Sequence, residues 1–177
     1  MKHDYSVIYE NIRLRPLYET DLENLRNWRN VDNIRKWFIH QNIIEQDQQL
    51  SWFHSYESKE NDLMFIIEEI ESINKPIGAI SLYNIDKEAQ NAEFGRLMIG
   101  EVEARGKGLG LTATKALCRF GFAELNLKEI YLEVFHDNKS AISIYRNAGF
   151  CIDGEAHIDE KKVVKMSIRQ ECDRNGD

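Results

Sequence analysis

The stretch R-G-K-G-L-G, from Arg105 to Gly110, puts three glycines at alternate positions directly before a helix-like run. That arrangement can hold an anion. The first amides of a helix have no partner inside the helix, and the helix dipole adds partial positive charge at the same end. Glycine lets the backbone come close to the ligand, and Arg105 and Lys107 can add charge at the rim. Phosphate is the natural occupant. Two nucleotide signatures do not match: the P-loop pattern G-x-x-x-x-G-K-S/T is absent, and the dinucleotide pattern G-x-G-x-x-G has a different spacing and opens a βαβ unit. Taken alone, the glycines fit a tight structural turn without any ligand equally well.

A strand must deliver such a turn and a helix must leave it. AEFGRLMIG (92–100) reads as that strand, and a helix follows from Gly108 to about Leu125. Upstream, Ile12 to Pro16 reads as a short strand. Thr20 and Glu23 have the spacing of a capping box, which opens a helix carrying Leu22, Leu25 and Trp28. Further helices are expected over Asp32–Phe38 and over Glu45–Glu57, the latter with Leu50 and Phe53 inward. LMFIIEEI (63–70) and PIGAISLYNI (76–85) form a hairpin around a polar turn. EIYLEVF (129–135) is a strand with Ile130, Leu132 and Val134 on one face. Asn138 is a good N-cap for a helix reaching Ala148, and Gly149 a good stop. FCIDGEA and KKVVKMSI complete the strands. No linker or repeat breaks this order, so residues 1–177 read as one α+β domain around a central sheet.

Composition narrows the function. The net charge of -7 argues against a nucleic-acid partner, which needs a basic face, but leaves room for a small anionic ligand in a locally basic or amide-rich pocket. No apolar run is long enough for a membrane span, and the N-terminus lacks an apolar signal core. Three scattered cysteines, Cys118, Cys151 and Cys172, fit reduced thiols in the cytoplasm. The five histidines lie far apart and no metal-ligand cluster is expected.

A second stretch, LEVFHDNKSAISIYRNAGF (132–150), joins a strand, an asparagine cap, a small-residue helix and a Gly-Phe end. Together the two stretches resemble the GNAT superfamily of acetyl-CoA-dependent N-acetyltransferases. The family's glycine signature Q/R-x-x-G-x-G/A is matched by Arg105 to Gly110. Its later signature is matched by Asn138, Ala141, Tyr145, Gly149 and Phe150. The resemblance implies a mostly antiparallel central sheet whose two parallel central strands splay apart, flanked by helices. Acetyl-CoA would enter that gap, with its pantetheine arm along Leu97, Met98 and Ile99. Its pyrophosphate would sit on the amides of Gly106, Lys107, Gly108, Leu109, Gly110 and Leu111, with Asn138 and Ala141 beside it.

The chemistry follows from direct attack of an amine on a thioester. The developing oxyanion needs a backbone donor, such as an amide near Met98, and the leaving thiolate needs a proton. Tyrosine, with a reference pKa near 10, is protonated at neutral pH and can supply it. Tyr145 stands where the family often carries this acid; as a plain core residue it would only pack its ring. The ammonium must also lose a proton. Glu133 and Glu93 are the carboxylate candidates, His136 is a third, and a water relay to bulk would also serve.

The acceptor side is less specified. Trp28, Arg29, Asn30 and Trp37 cluster in the N-terminal half, where inward packing explains several of them. The pattern resembles bacterial acetyltransferases of nucleotide-linked amino sugars, and an aromatic face with an arginine would suit a base and a diphosphate. The opening LRPL…DL resembles ribosomal-protein N-terminal acetyltransferases just as well. A GNAT domain that binds acetyl-CoA without turnover is the non-enzymatic alternative. A small amine acceptor is expected, and homodimerisation stays open.

Overall fold

The computed structural model describes residues 3–170. The chain begins with β1 (Val7–Tyr9) and β2 (Ile12–Pro16), then α1 (Leu22–Asn30), α2 (Asp32–Arg35) and α3 (Gln46–Glu57). Next come β3 (Asp62–Glu69), β4 (Lys75–Asp86), β5 (Asn91–Ile99) and α4 (Leu109–Ala123). It continues through β6 (Glu129–Phe135), α5 (Lys139–Asn147), β7 (Cys151–Ile158) and β8 (Lys161–Arg169). The strands form one eight-stranded sheet in the order β1-β2-β3-β4-β5-β6-β8-β7.

β3 shows why the sheet is covered on both sides. Its residues are buried from end to end, because alternate side chains enter different layers. Leu63, Phe65 and Ile67 join a core with Ala113, Leu117 and Phe120 of α4 and with Ile142 and Tyr145 of α5. Met64 and Ile66 join a second core with Leu25 and Trp28 of α1 and Phe53 of α3. Each fully buried side chain of this size contributes about 1.5–3 kcal/mol.

All neighbours in the sheet are antiparallel except β5 and β6. Parallel neighbours need a crossover, and α4 supplies it. This pair is short: Asn91, Ala92 and Glu93 face Glu129, Ile130 and Tyr131, and the pairing then ends. The cause lies on the other edge of β5. Between Ser81↔Gly95 and Ala79↔Met98, two β5 residues oppose one on β4, and the extra residue puts Arg96 at φ 53°. Such a bulge bends the strand that carries it. The outer half of β5 therefore leaves β6, as the splayed-strand expectation requires.

Several local expectations are corrected. β1 was not foreseen; it is short and, among the described residues, pairs with β2 alone. The Thr20–Glu23 capping box does not form. Asp21 instead accepts the Tyr18 amide at 2.9 Å and two N–H bonds from Arg15 at 2.7 and 2.8 Å. A bidentate charge-assisted pair outcompetes a hydroxyl cap, and Glu23 turns to Arg26. The helix expected over Asp32–Phe38 stops at Arg35. Leu50 faces outward rather than inward, while Phe53 is buried. Cys118 is a buried free thiol and Cys151 an exposed one; Cys172 lies outside the described residues. Among the described residues no helix is long and apolar enough to cross a membrane.

Candidate active site

The gap between β5 and β6 opens into a cleft of about 720 Å³, bounded by the glycine turn, the start of α5 and the segment after α1. The glycine turn is built for close approach of a ligand. Gly106 and Gly108 adopt φ 74° and 77°, a region disfavoured for side-chain-bearing residues, and a Cβ on either would meet nothing within 4 Å. Among the described residues, the amides from Gly106 to Gly110 have no internal acceptor, whereas Leu111 donates to the Gly108 carbonyl at 2.9 Å. The open run of amides thus ends one residue earlier than expected.

Arg105 does not stand at the rim as a free charge. Its guanidinium donates to the Ile99 carbonyl at 3.2 Å and the Gly100 carbonyl at 2.7 Å, tying the turn to the end of β5. Lys107 is exposed and lies outside the cleft lining. Leu97, Met98 and Ile99 line the cleft. The Gly100 amide donates to Ile77 of β4 at 2.8 Å. In an antiparallel ladder neighbouring residues alternate, so the Ile99 amide points the other way, into the opening.

α5 positions the second group. Asn138 caps it by accepting the Ala141 amide at 3.2 Å, and both residues line the cleft. At its other end, Gly149 donates to the Arg146 carbonyl and Phe150 to the Tyr145 carbonyl, each at 3.0 Å, with Gly149 at φ 105°. This is a Schellman ending, which needs a glycine in the left-handed region. Tyr145 packs edge-on against Phe94 at 5.5 Å. Its hydroxyl makes no hydrogen bond among the described residues, although the residue lines the cleft. Burial, then the neighbouring Cys118, pushes its phenol well above the ordinary range. The group therefore keeps its proton at neutral pH.

Both carboxylate candidates line the cleft. Glu93 accepts the Tyr83 hydroxyl at 2.7 Å and the Asn84 amide at 2.8 Å. Glu133 is exposed and lies 3.4 Å from the Lys165 ammonium. His136 is absent from the lining and sits 3.3 Å from Asp137.

The acceptor-side candidates divide. Trp28 is a core residue: its indole lies on Gly100, where a Cβ would come within 2.0 Å of the ring, and its Nε1 donates to Glu101 at 2.9 Å. Asn30 exchanges two 2.9 Å hydrogen bonds with the Ile44 backbone and staples the segment before α3. Neither lines the cleft. Arg29 and Trp37 do, but the Arg29 guanidinium lies 3.7 Å from the Phe38 ring centre and donates to the His40 carbonyl. Its Nη1 is sealed from solvent without a hydrogen-bond partner among the described residues. Burial, then the nearby Arg35, lowers its pKa to about 10.

Phe38, which follows Trp37 in the aromatic and basic cluster of the N-terminal half, lines the cleft, and so does Tyr83, which was not expected there. Tyr83 had a signal, since a β4–β5 hairpin closing near Glu88 sets it opposite Glu93.

Residues 11–151 match the family model of the acetyltransferase (GNAT) domain. The chain belongs to the GNAT family. This GNAT enzyme is 32% identical to the spermidine N(1)-acetyltransferase of Escherichia coli K12 over 147 residues, 82% of this chain and 75% of that one. It is 24% identical to acetyltransferase PseH of Campylobacter jejuni over 87% of this chain and 89% of that one. Among solved structures, the spermidine N-acetyltransferase of Vibrio cholerae in complex with CoA and spermine superposes with a TM-score of 0.81. That match has 26% identity and covers 90% of this chain and 96% of the other. As a GNAT acetyltransferase, the protein takes its acetyl group from acetyl-CoA and transfers it to an amine. The open amides and unobstructed glycines of the 106–110 turn fit a diphosphate.

Proposed function

We propose that this GNAT enzyme acetylates a primary amine of a polyamine of the spermidine or spermine type. The observation that carries the reading is the likeness, over 90% of the chain, to a spermidine N-acetyltransferase solved with CoA and spermine. The cleft is compatible with a cationic acceptor, since Glu93 lines it and its hydrogen-bond partners Tyr83 and Asn84 are neutral. The amino-sugar expectation has lost its main supports: Trp28 and Asn30 are engaged inside the protein, and Arg29 is stacked on Phe38. What remains for it is Trp37 in the cleft lining and the 24% identity to PseH.

In this reading the amides of Gly106–Gly110 hold the pyrophosphate, and the exposed edge of β5 receives the pantetheine. The bound thioester supplies the acetyl group. The Ile99 amide, or its neighbour on the same edge of β5, donates to the carbonyl oxygen as charge develops there. Tyr145 donates its proton to the departing sulfur. A carboxylate on the acceptor side takes a proton from the ammonium. The whole chain acts as one domain, and free thiols such as Cys118 and Cys151 suit a cytoplasmic setting.

The test is thiol release from acetyl-CoA with spermidine, spermine, putrescine, a UDP-linked amino sugar and an alanine-initiated peptide as acceptors. The expected result is the highest kcat/KM with spermidine or spermine. A higher value with the amino sugar or the peptide would overturn the assignment. Tight acetyl-CoA binding without turnover of any amine would instead mark a binding module.

A further inference from the structure

We propose that Tyr83 and Asn84 are positioning residues that clamp the Glu93 carboxylate in the cleft, so that Glu93 rather than Glu133 takes the proton from the acceptor ammonium. The inference rests on the reading of the chain as an amine acetyltransferase and assigns the proton path within it.

Glu93 is held by a neutral donor on each oxygen: the Tyr83 hydroxyl reaches Oε1 at 2.7 Å and the Asn84 Nδ2 reaches Oε2 at 2.8 Å. A carboxylate offers about four acceptor positions. Two are filled and the others can meet an ammonium or a bridging water. Neither donor carries charge, so the negative charge of Glu93 is oriented without being neutralised. Glu133 differs on both counts. It is exposed, and the ammonium of Lys165 at 3.4 Å already offsets its charge.

The clamp is itself braced. The Tyr83 ring crosses β5 over Gly95, where a Cβ would fall 2.8 Å from the ring and 2.9 Å from the hydroxyl. The Arg96 guanidinium lies 4.5 Å from the ring centre, and Asp62 fixes it through bonds of 2.6 and 2.9 Å. Asn84 reaches Glu93 from a left-handed backbone position, φ 50°. Burial, then the bond to Glu93, raises the Tyr83 phenol well above its ordinary range, so the hydroxyl remains a donor.

The proton balance is as follows. One proton leaves the –NH3+ group for a Glu93 oxygen. The freed lone pair forms the carbon–nitrogen bond while the carbon–sulfur bond breaks, and the sulfur takes the Tyr145 proton. A second nitrogen proton, lost as the amide forms, restores Tyr145, and Glu93 returns its proton to solvent. One alkylammonium and one thioester give one amide, one thiol and one H+.

The experiment compares Glu93→Gln, Glu133→Gln, Tyr83→Phe and Asn84→Gly on the full chain, with kcat and KM for spermidine measured from pH 6.5 to 10. Tyr83→Phe keeps the ring between Gly95 and Arg96, and Asn84→Gly keeps the left-handed backbone, so both variants retain the fold. Glu93→Gln is expected to lose roughly 10²-fold in kcat at pH 7 and to recover as pH approaches the amine pKa. Tyr83→Phe and Asn84→Gly should each lose roughly tenfold in kcat, with acetyl-CoA affinity unchanged. Glu133→Gln should lose less in kcat than Glu93→Gln, whatever it does to the KM for spermidine. Loss in Glu133→Gln exceeding that in Glu93→Gln, or full kcat in both clamp variants, would overturn the proposal. Wild-type inactivity with every amine would sink the underlying enzyme assignment instead.

Discussion

The backbone carbonyl of Tyr145 accepts the Phe150 amide at 3.0 Å, and the two rings lie 5.8 Å apart. The hydrogen bond and ring contact join the two ends of the Schellman turn, and Phe94 contacts both rings. The backbone at Tyr145 is therefore set by the helix ending, while its ring is set by packing. The hydroxyl is left free of both constraints.

Tyr145→Phe removes only that hydroxyl. We expect kcat to fall by about 10²–10³-fold. The dissociation constant of acetyl-CoA should stay within about twofold, and the melting temperature should hold, because no hydrogen bond is lost. Steady-state kinetics, calorimetry and a thermal melt check the three parts. Unchanged kcat would remove Tyr145 from the acid role.

Gly108→Val forces a β-branched residue into φ 77°. Space is open there, so the effect is one of backbone strain, about 1–2 kcal/mol. If the turn relaxes away from its anion-binding shape, acetyl-CoA affinity drops by about tenfold or more in calorimetry. Gly108→Asn, whose side chain tolerates the left-handed region, should lose less. Equal affinity in all three proteins would argue against a phosphate on this turn.

Gly100→Ala drives a methyl group to within 2.0 Å of the Trp28 ring. Relief requires the indole to move and its bond to Glu101 to break. Overpacking of this kind costs about 1–3 kcal/mol, to be read from urea denaturation. The order of preference among acceptor amines should survive, because Trp28 lies outside the cleft lining. A changed acceptor order would return Trp28 to the substrate side.

Alkaline pH should weaken the fold through groups buried in both cores. Burial pushes the Cys118 thiol from 9.0 up to about 12, and burial likewise holds Tyr56 at about 12. Groups raised in the folded state stabilise it fully below their unfolded pKa and lose that contribution as pH rises toward the folded value. Urea midpoints should therefore fall between about pH 9 and 12. Cys118→Ala, which removes one such group, should show a shallower fall. Parallel curves would mean that the thiol does not titrate in this window.

What could be read in the chain was what short-range sterics dictate. Gly106, Gly108 and Gly149 hold left-handed backbone positions that side chains disfavour, and Asn138 caps a helix with its own side chain three residues away. Alternation placed Ile130, Leu132 and Val134 in one layer. Even locally the reading could fail: Thr20 and Glu23 had the right spacing, yet Arg15 on β2 claimed Asp21 and set a different start to α1.

By itself, then, the sequence determined the strand-turn-helix units, the glycine turn and the helix that carries Tyr145, because steric limits and capping act within a few residues. Only the tertiary structure decided which long side chains remain available to a ligand. Trp28, Asn30 and Arg105 all look suited to binding in one dimension, but Glu101, Ile44 and the end of β5 engage them in three. Tyr83 gained its place beside Glu93 through the β4–β5 register and the absence of a side chain at Gly95. A polar group takes the partner that packing brings within hydrogen-bond reach, and that distance is set by the whole fold.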